Sequence, residues 1–284
     1  MTPVIPFPLP PTGLKLTGNE IYIFWAALDQ PSSRIEQLAA FLSSDELTRA
    51  ERFRFETDQR RFIAGRGMLR EILGRLLEVE PSELIFSYGT NGKPALVSPL
   101  KGRELHFNLA HSAALVVYVV NKVQQCGVDV ERVRPIEEVE NLAALLFSER
   151  ENKQWCSLPE HRKMESFLNV WTCKEACLKA SGEGIGHRLD QIEVLFTPDQ
   201  VVRSLSSARD SSNTVEWSIR LLDSVSGFVG ALAIQNDHMH ICNWKWQTTS
   251  YAAQENQDEA MASNDYESCW PNRARSADRF PRCG

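Results

Sequence analysis

Two carboxylates stand two apart in the run GVDVERVRP, and a third precedes a lysine by four residues in WTCKEACLKA. On a strand, Asp129 and Glu131 share a face while Val130 points to the other. On a helix, Glu175 and Lys179 share a face, with Trp171 one turn earlier. Together the three carboxylates would make a hard, all-oxygen site. Such a site suits Mg²⁺, which keeps several waters and takes further ligands from a substrate phosphate; Mn²⁺ is the alternative ion. Taken singly, the pairs fit solvated strand residues and a surface helix pair better, the latter worth about 0.2–0.5 kcal/mol.

Basic residues gather earlier, at Arg49, Arg52, Arg54, Arg60, Arg61 and Arg66, with Lys93 after the turn Asn91-Gly92. The guanidinium fork can hold two phosphate oxygens at once, although any one of these arginines alone fits a solvated helix face. His111 follows a strand-like run, where it would meet a phosphate or cap the loop. Its neighbour Ser112 is no hydrolase nucleophile, because no G-x-S-x-G elbow surrounds it and adjacent residues rarely make a nucleophile–base pair. The GRG at 65–67 lacks the third glycine of a dinucleotide fingerprint and lies inside a helical pattern. Gly182, Gly184 and Gly186 are read as a helix stop.

The elements that must position these groups follow from pattern. IYIFWAAL reads as a buried strand. Ser44-Asp45-Glu46 opens a helix with capping chemistry. Phe62, Ile63, Met68, Leu69, Ile72, Leu73, Leu76 and Leu77 recur at helical spacing, with basic residues on the other faces. ELIFSY, the hairpin signal Asn-Gly, LHFNLA, AALVVYVV and QQCGVDVERVRP then give strands. The second half repeats this plan: two helical stretches up to SGEGI, then QIEVLF, VEWSIRLL and GFVGALAIQ. This predicts an α+β fold of two similar halves, residues 20–125 and 126–246, the second carrying the metal site. Residues 1–19 form a Pro-rich arm, and 247–284 a poorly ordered tail.

The chain has 284 residues, enough for a sizeable core, and 43% hydrophobic and 24% charged residues. A net charge of −6 excludes a general nucleic-acid binder, so an anionic ligand must meet a local basic cluster. No apolar run is long enough for a membrane span, and the proline-broken start is no secretory signal. The seven cysteines form no CxxC pair, and the pair Cys173 and Cys177 reads as small helix residues. A reducing cytoplasm is expected.

Four ordered blocks, NGKPAL, FNLAHS, GVDVERVRP and WTCKEACLKASGEGI, make the chain resemble the Sfp-type 4'-phosphopantetheinyl transferases, cyanobacterial members in particular, from about residue 20 to 246. The resemblance implies two α+β halves in a pseudo-dimer, with the active site in the cleft between them. It implies that Asp129, Glu131 and Glu175 hold the metal ion. Lys93 and His111 would contact the phosphorylated ribose of coenzyme A, Arg49 and Arg61 its phosphates, and Lys179 the pyrophosphate. FNLAHS departs from the family's F-N-x-S-H-S at Ala110, and with it a serine hydroxyl that would bond a phosphate oxygen is lost. The implied reaction transfers the phosphopantetheine of the co-substrate coenzyme A to a serine of an acyl or peptidyl carrier protein, releasing adenosine 3',5'-bisphosphate. The serine would lose its proton to Glu175 or to a water, between which the sequence does not choose. A monomer is expected, without nucleic-acid or membrane partners. A divalent-metal phosphohydrolase and a non-catalytic carrier-binding module are the alternatives.

Overall fold

The computed structural model describes residues 2–89, 91–97, 104–182, 189, 192–195, 203–204, 217–223, 225–235 and 238–247. The tail expected at 247–284 falls outside them apart from its first residue, and so do Gly184 and Gly186.

The run EIYIFWAA becomes strand β1 (Glu20–Ala27), followed by helices α1 (Ser32–Ala39), α2 (Ser44–Glu51) and the long α3 (Glu56–Leu77). The Asn-Gly turn joins two short strands, β2 (Phe86–Tyr88) and β3 (Pro94–Leu96). Next come β4 (His106–Ser112), β5 (Leu115–Asn121) and β6 (Cys126–Arg132). Helices α4 (Val139–Leu146), α5 (Glu149–Cys156) and α6 (Glu160–Ser181) follow. The chain then forms β7 (Val194–Leu195), β8 (Arg203–Ser204), β9 (Ser218–Leu221), β10 (Phe228–Ile234) and β11 (His240–Lys245).

Strands β1 and β5 are buried because they lie in the middle of a sheet ordered β11-β1-β5-β4. A second sheet runs β6-β10-β9. Each long helix covers one sheet. Met68, Leu69, Ile72 and Leu73 of α3 pack on Tyr22, Phe24, Val116 and Tyr118. Phe167, Val170, Cys173 and Ala176 of α6 pack on Val229, Ala231 and Ala233. Strand alternation sends the intervening residues Ile21, Ile23, Trp25, Val117 and Val119 to the opposite face. There they meet Val128, Val130, Leu232 and Ile234 in a third apolar cluster shared by both sheets. Each such side chain, fully buried, contributes about 1.5–3 kcal/mol.

The two α+β units resemble each other down to a buried ion pair. Ser43 precedes α2 and donates its backbone N–H to Glu46, while Ser148 precedes α5 and donates its own to Glu151. The same two carboxylates reach into the long helices. Glu46 takes Arg66 at 2.9 Å and Arg70 at 2.7 Å; Glu151 takes Lys174 at 2.7 Å. Arg70 and Lys174 hold the same place in their 22-residue helices, and each also donates to two backbone carbonyls. Arg66 and Arg70 are therefore buried, and do not lie on a solvated face as helical periodicity implied. A charge inside the core is held only where a partner charge and carbonyls replace water.

Three further features complete the fold, the last of which positions the site. Strand β11, placed by sequence in the second half, pairs in parallel with β1 and forms an edge of the first sheet. The N-terminal arm lies on the core, with Ile5 buried and Phe7 stacked on Trp25 at 5.6 Å. Gly127 lets β6 approach α6 closely: a Cβ there would lie 2.0 Å from the Ala176 carbonyl oxygen.

Candidate active site

That close approach sets Asp129 and Glu131 of β6 beside Glu175 and Lys179 of α6. Asp129 is 6% exposed. Its Oδ1 accepts from Lys179 Nζ at 2.7 Å, while its Oδ2 is buried with no hydrogen-bond donor. Glu175 is buried too, and its Oε1 likewise has no donor. Lys179 thus pairs across to the strand, in place of the surface pair with Glu175 that helical spacing alone permits. Glu131 is held by the Ser112 hydroxyl, which donates to Oε2 at 2.7 Å and accepts from the Arg132 N–H at 3.0 Å. Ser112 orients a carboxylate. The junction of the sheets is stitched in the same way by Asn108, whose Oδ1 accepts from the Val128 N–H at 2.9 Å.

Burial pushes the Asp129 carboxyl up to about 6; Lys179 opposes the shift, and Glu131 and Glu175 add to it. Burial also raises Glu175, against Lys179 and with Glu131. A buried acidic cluster with two oxygens lacking donors calls for more positive charge than one lysine supplies. Hard oxygen donors fit a dication such as Mg²⁺. The three carboxylates are not within 4.8 Å of one another as a set, and Lys179 lies against Asp129 among them.

A stability prediction follows for the metal-free protein. The folded Asp129 holds its proton up to about pH 6, whereas the unfolded residue releases it near 3.9. Between these values the folded chain binds more protons, so this group makes the fold more stable as pH falls from about 6 towards 4. The gain from Asp129 is on the order of 2–3 kcal/mol. Urea midpoints in EDTA at pH 4.5 and 7 should show this gain in the parent and its loss in Asp129→Asn. Equal pH slopes in the two proteins would contradict it.

Beside the acidic cluster lies a cavity of about 570 Å³, lined by Arg49, Arg61 and His111 together with Phe53, Phe62, Arg66, Tyr88 and Pro94. Arg49 sits over the Phe62 ring, Arg61 pairs with Asp29 at 2.7 Å, and Arg66 donates to the Tyr88 hydroxyl. His111 joins the two regions. Burial lowers its pKa first, Lys179 and Arg61 lower it further, and Glu131 opposes them. The imidazole is therefore neutral near pH 7.

Lys93 is placed differently from the other expected site residues. Its ammonium donates to the carbonyls of Lys179 at 2.6 Å and Cys126 at 3.3 Å, and Asn91 Nδ2 donates to the Gly182 carbonyl at 2.9 Å. The Asn-Gly hairpin is thus latched onto the end of α6. Cations favour a helix C-terminus because unpaired carbonyls and the helix dipole face it. Burial lowers the Lys93 pKa. Ala110 points away from the cavity: Leu109 and His111 line it, while Ala110 packs in the shared apolar cluster. A hydroxyl at position 110 would enter that cluster, so the expected loss of a cavity contact does not arise in this arrangement. Sequence patterns gave no role to Glu151, Asn108 or Gly127, and read Glu46 only as part of a helix start. The S-x-x-E pattern of the two capping boxes was the one available signal.

The cavity gathers cations suited to oxyanions, beside buried carboxylates suited to a divalent cation. A 4'-phosphopantetheinyl transferase N-terminal model matches residues 28–123, and the 4'-phosphopantetheinyl transferase superfamily model matches residues 125–233. The 4'-phosphopantetheinyl transferase HetI of Nostoc sp. (strain PCC 7120) is 42% identical over 224 residues, covering 79% of this chain and 91% of that protein. The 4'-phosphopantetheinyl transferase psf-1 of Bacillus pumilus is 34% identical, covering 61% of this chain and 72% of its own. The 4'-phosphopantetheinyl transferase Sfp of Bacillus subtilis is 26% identical, covering 62% and 77%. The chain belongs to the 4'-phosphopantetheinyl transferase superfamily and is an enzyme of that class. Among the described residues, no helix is long and apolar enough to cross a membrane.

Proposed function

We propose that this enzyme takes phosphopantetheine from coenzyme A and attaches it to a serine of an acyl or peptidyl carrier protein. The supporting observation is the contact between two opposite environments: a buried acidic cluster with donorless oxygens, and a basic cavity large enough for a nucleotide, joined at His111. Asp129, Glu131 and Glu175 would hold a divalent cation, Mg²⁺ or Mn²⁺. Bound there, it supplies neutralisation of diphosphate charge.

The chain's own residues do the rest. Arg49, Arg61 and His111 bind the nucleotide phosphates, and Lys93 fixes the hairpin that closes one side of the cavity. Glu175, raised by burial and with Oε1 lacking a donor, accepts the proton of the carrier serine. The serine oxygen forms a bond to the β-phosphorus as the bond to the nucleotide oxygen breaks. Adenosine 3',5'-bisphosphate leaves with the electron pair, and Lys179 stabilises its charge.

Intact mass of an apo carrier protein, incubated with the enzyme, coenzyme A and Mg²⁺, tests this directly. A gain of one phosphopantetheine group that EDTA abolishes is expected. No gain on acyl and peptidyl carriers, with folded enzyme, would overturn it. Within the same assay, Arg49→Ala should raise KM for coenzyme A roughly tenfold with kcat little changed, the mark of a lost charge-assisted binding contact. An unchanged KM would remove Arg49 from the binding site.

A further inference from the structure

The parallel ladder between β1 and β11 sets Glu20 opposite His240 and Tyr22 opposite Cys242. Alternation brings Glu20, His240 and Cys242 to one face of the sheet. Among the described residues they form a set of possible ligands whose donor atoms all lie within 4.8 Å of one another. His240 Nδ1 and Cys242 Sγ are already 3.2 Å apart. The Glu20 carboxylate is oriented through Oε2, which accepts from the Thr17 N–H at 3.0 Å, the Thr17 hydroxyl at 2.8 Å and the Tyr22 hydroxyl at 3.1 Å. Supporting donors of this kind fix the carboxylates of metal sites. None of these residues lines the basic cavity or belongs to the acidic cluster.

We infer that Glu20, His240 and Cys242 form a Zn²⁺ site on the outer edge of the first sheet. Thiolate with imidazole selects Zn²⁺ over Mg²⁺, which prefers oxygen alone. Zn–ligand bonds of about 2.0–2.3 Å place tetrahedral ligand atoms about 3.3–3.8 Å apart, close to the 3.2 Å between His240 Nδ1 and Cys242 Sγ and within the 4.8 Å that spans the whole set. Water fills the fourth position, and the Cys242 thiol releases its proton to solvent on binding. The ion bridges β1 to β11, the edge strand that sequence order would assign to the other half. It therefore acts as a clip on a long-range pairing.

The test uses full-length, metal-free protein titrated with Zn²⁺ against a chromogenic chelator, with peptide-resolved alkylation of the cysteines. Zn²⁺ should slow alkylation of Cys242 at least about tenfold, and His240→Ala and Cys242→Ser should each weaken binding by about tenfold or more. Asp129→Asn should keep this binding. At free Zn²⁺ about a hundred times its dissociation constant, the unfolding equilibrium should shift about a hundredfold towards the folded state. Equal Cys242 alkylation with and without Zn²⁺, or Zn²⁺ binding undiminished when both ligand substitutions are made in the Asp129→Asn protein, would overturn the assignment. The alkylation result in the unsubstituted protein stands even if a variant fails to fold.

Discussion

Asp129→Ala is expected to lower phosphopantetheinyl transfer by roughly 10²–10³-fold or more, the scale of losing one preorganised electrostatic partner, while the protein stays folded. Asp129 is at once the pairing partner of Lys179 and a buried carboxylate with one oxygen lacking a donor. Removing it deletes the most perturbed carboxylate of the site, whose ionised form the fold disfavours. Lys179 is left without its partner but is about a third exposed, so water can take over. The substitution is therefore costly for the reaction and mild for the fold. The mass-gain assay, paired with circular dichroism and a urea curve, separates the two. Near-normal turnover in a folded variant would remove Asp129 from the catalytic centre.

The largest effect on stability is expected far from the chemistry. Glu151→Ala should destabilise the protein by about 3–5 kcal/mol, the range for stranding one member of a buried ion pair. Glu151 is fully buried, pairs with Lys174 at 2.7 Å, and also receives the Val194 N–H. Lys174 is 1% exposed and would lose its pairing with Glu151. Because α6 also carries Glu175 and Lys179, loosening it should lower transfer as well, through position and not through chemistry. Glu46→Ala should behave alike in the first unit by stranding Arg66 and Arg70. Urea unfolding of Glu151→Ala, with Glu151→Gln as the milder change, measures the effect. A loss below about 1 kcal/mol would show that the pair holds little of the fold.

Local pattern was enough wherever one residue's environment depends on near neighbours. Uninterrupted apolar runs marked β1 and β5, helical recurrence marked α3, and Asn91-Gly92 marked the hairpin between β2 and β3. The two-residue spacing of Asp129 and Glu131 and the four-residue spacing of Glu175 and Lys179 put each pair on one face by the periods of strand and helix alone. The four ordered blocks supplied the family.

What the sequence by itself could not carry depends on contacts between distant segments. Arg66 and Arg70 read as solvent-facing because periodicity counts apolar residues, whereas their burial depends on Glu46 arriving from a separate helix. Lys174, to which no sequence pattern drew attention, has its place in the core through Glu151. Lys93 read as a ligand contact, and the tertiary structure sets its ammonium on carbonyls at the end of α6. Ala110 read as a missing phosphate contact, yet strand alternation turns it into the apolar layer between the sheets. Strand β11 followed its neighbours in sequence but joined the first sheet, since strand pairing is chosen by long-range hydrogen bonds and burial. Residue types and spacing determined which groups could act on a phosphate; tertiary packing decided which of them are desolvated together, and desolvation is what raises Asp129 and Glu175.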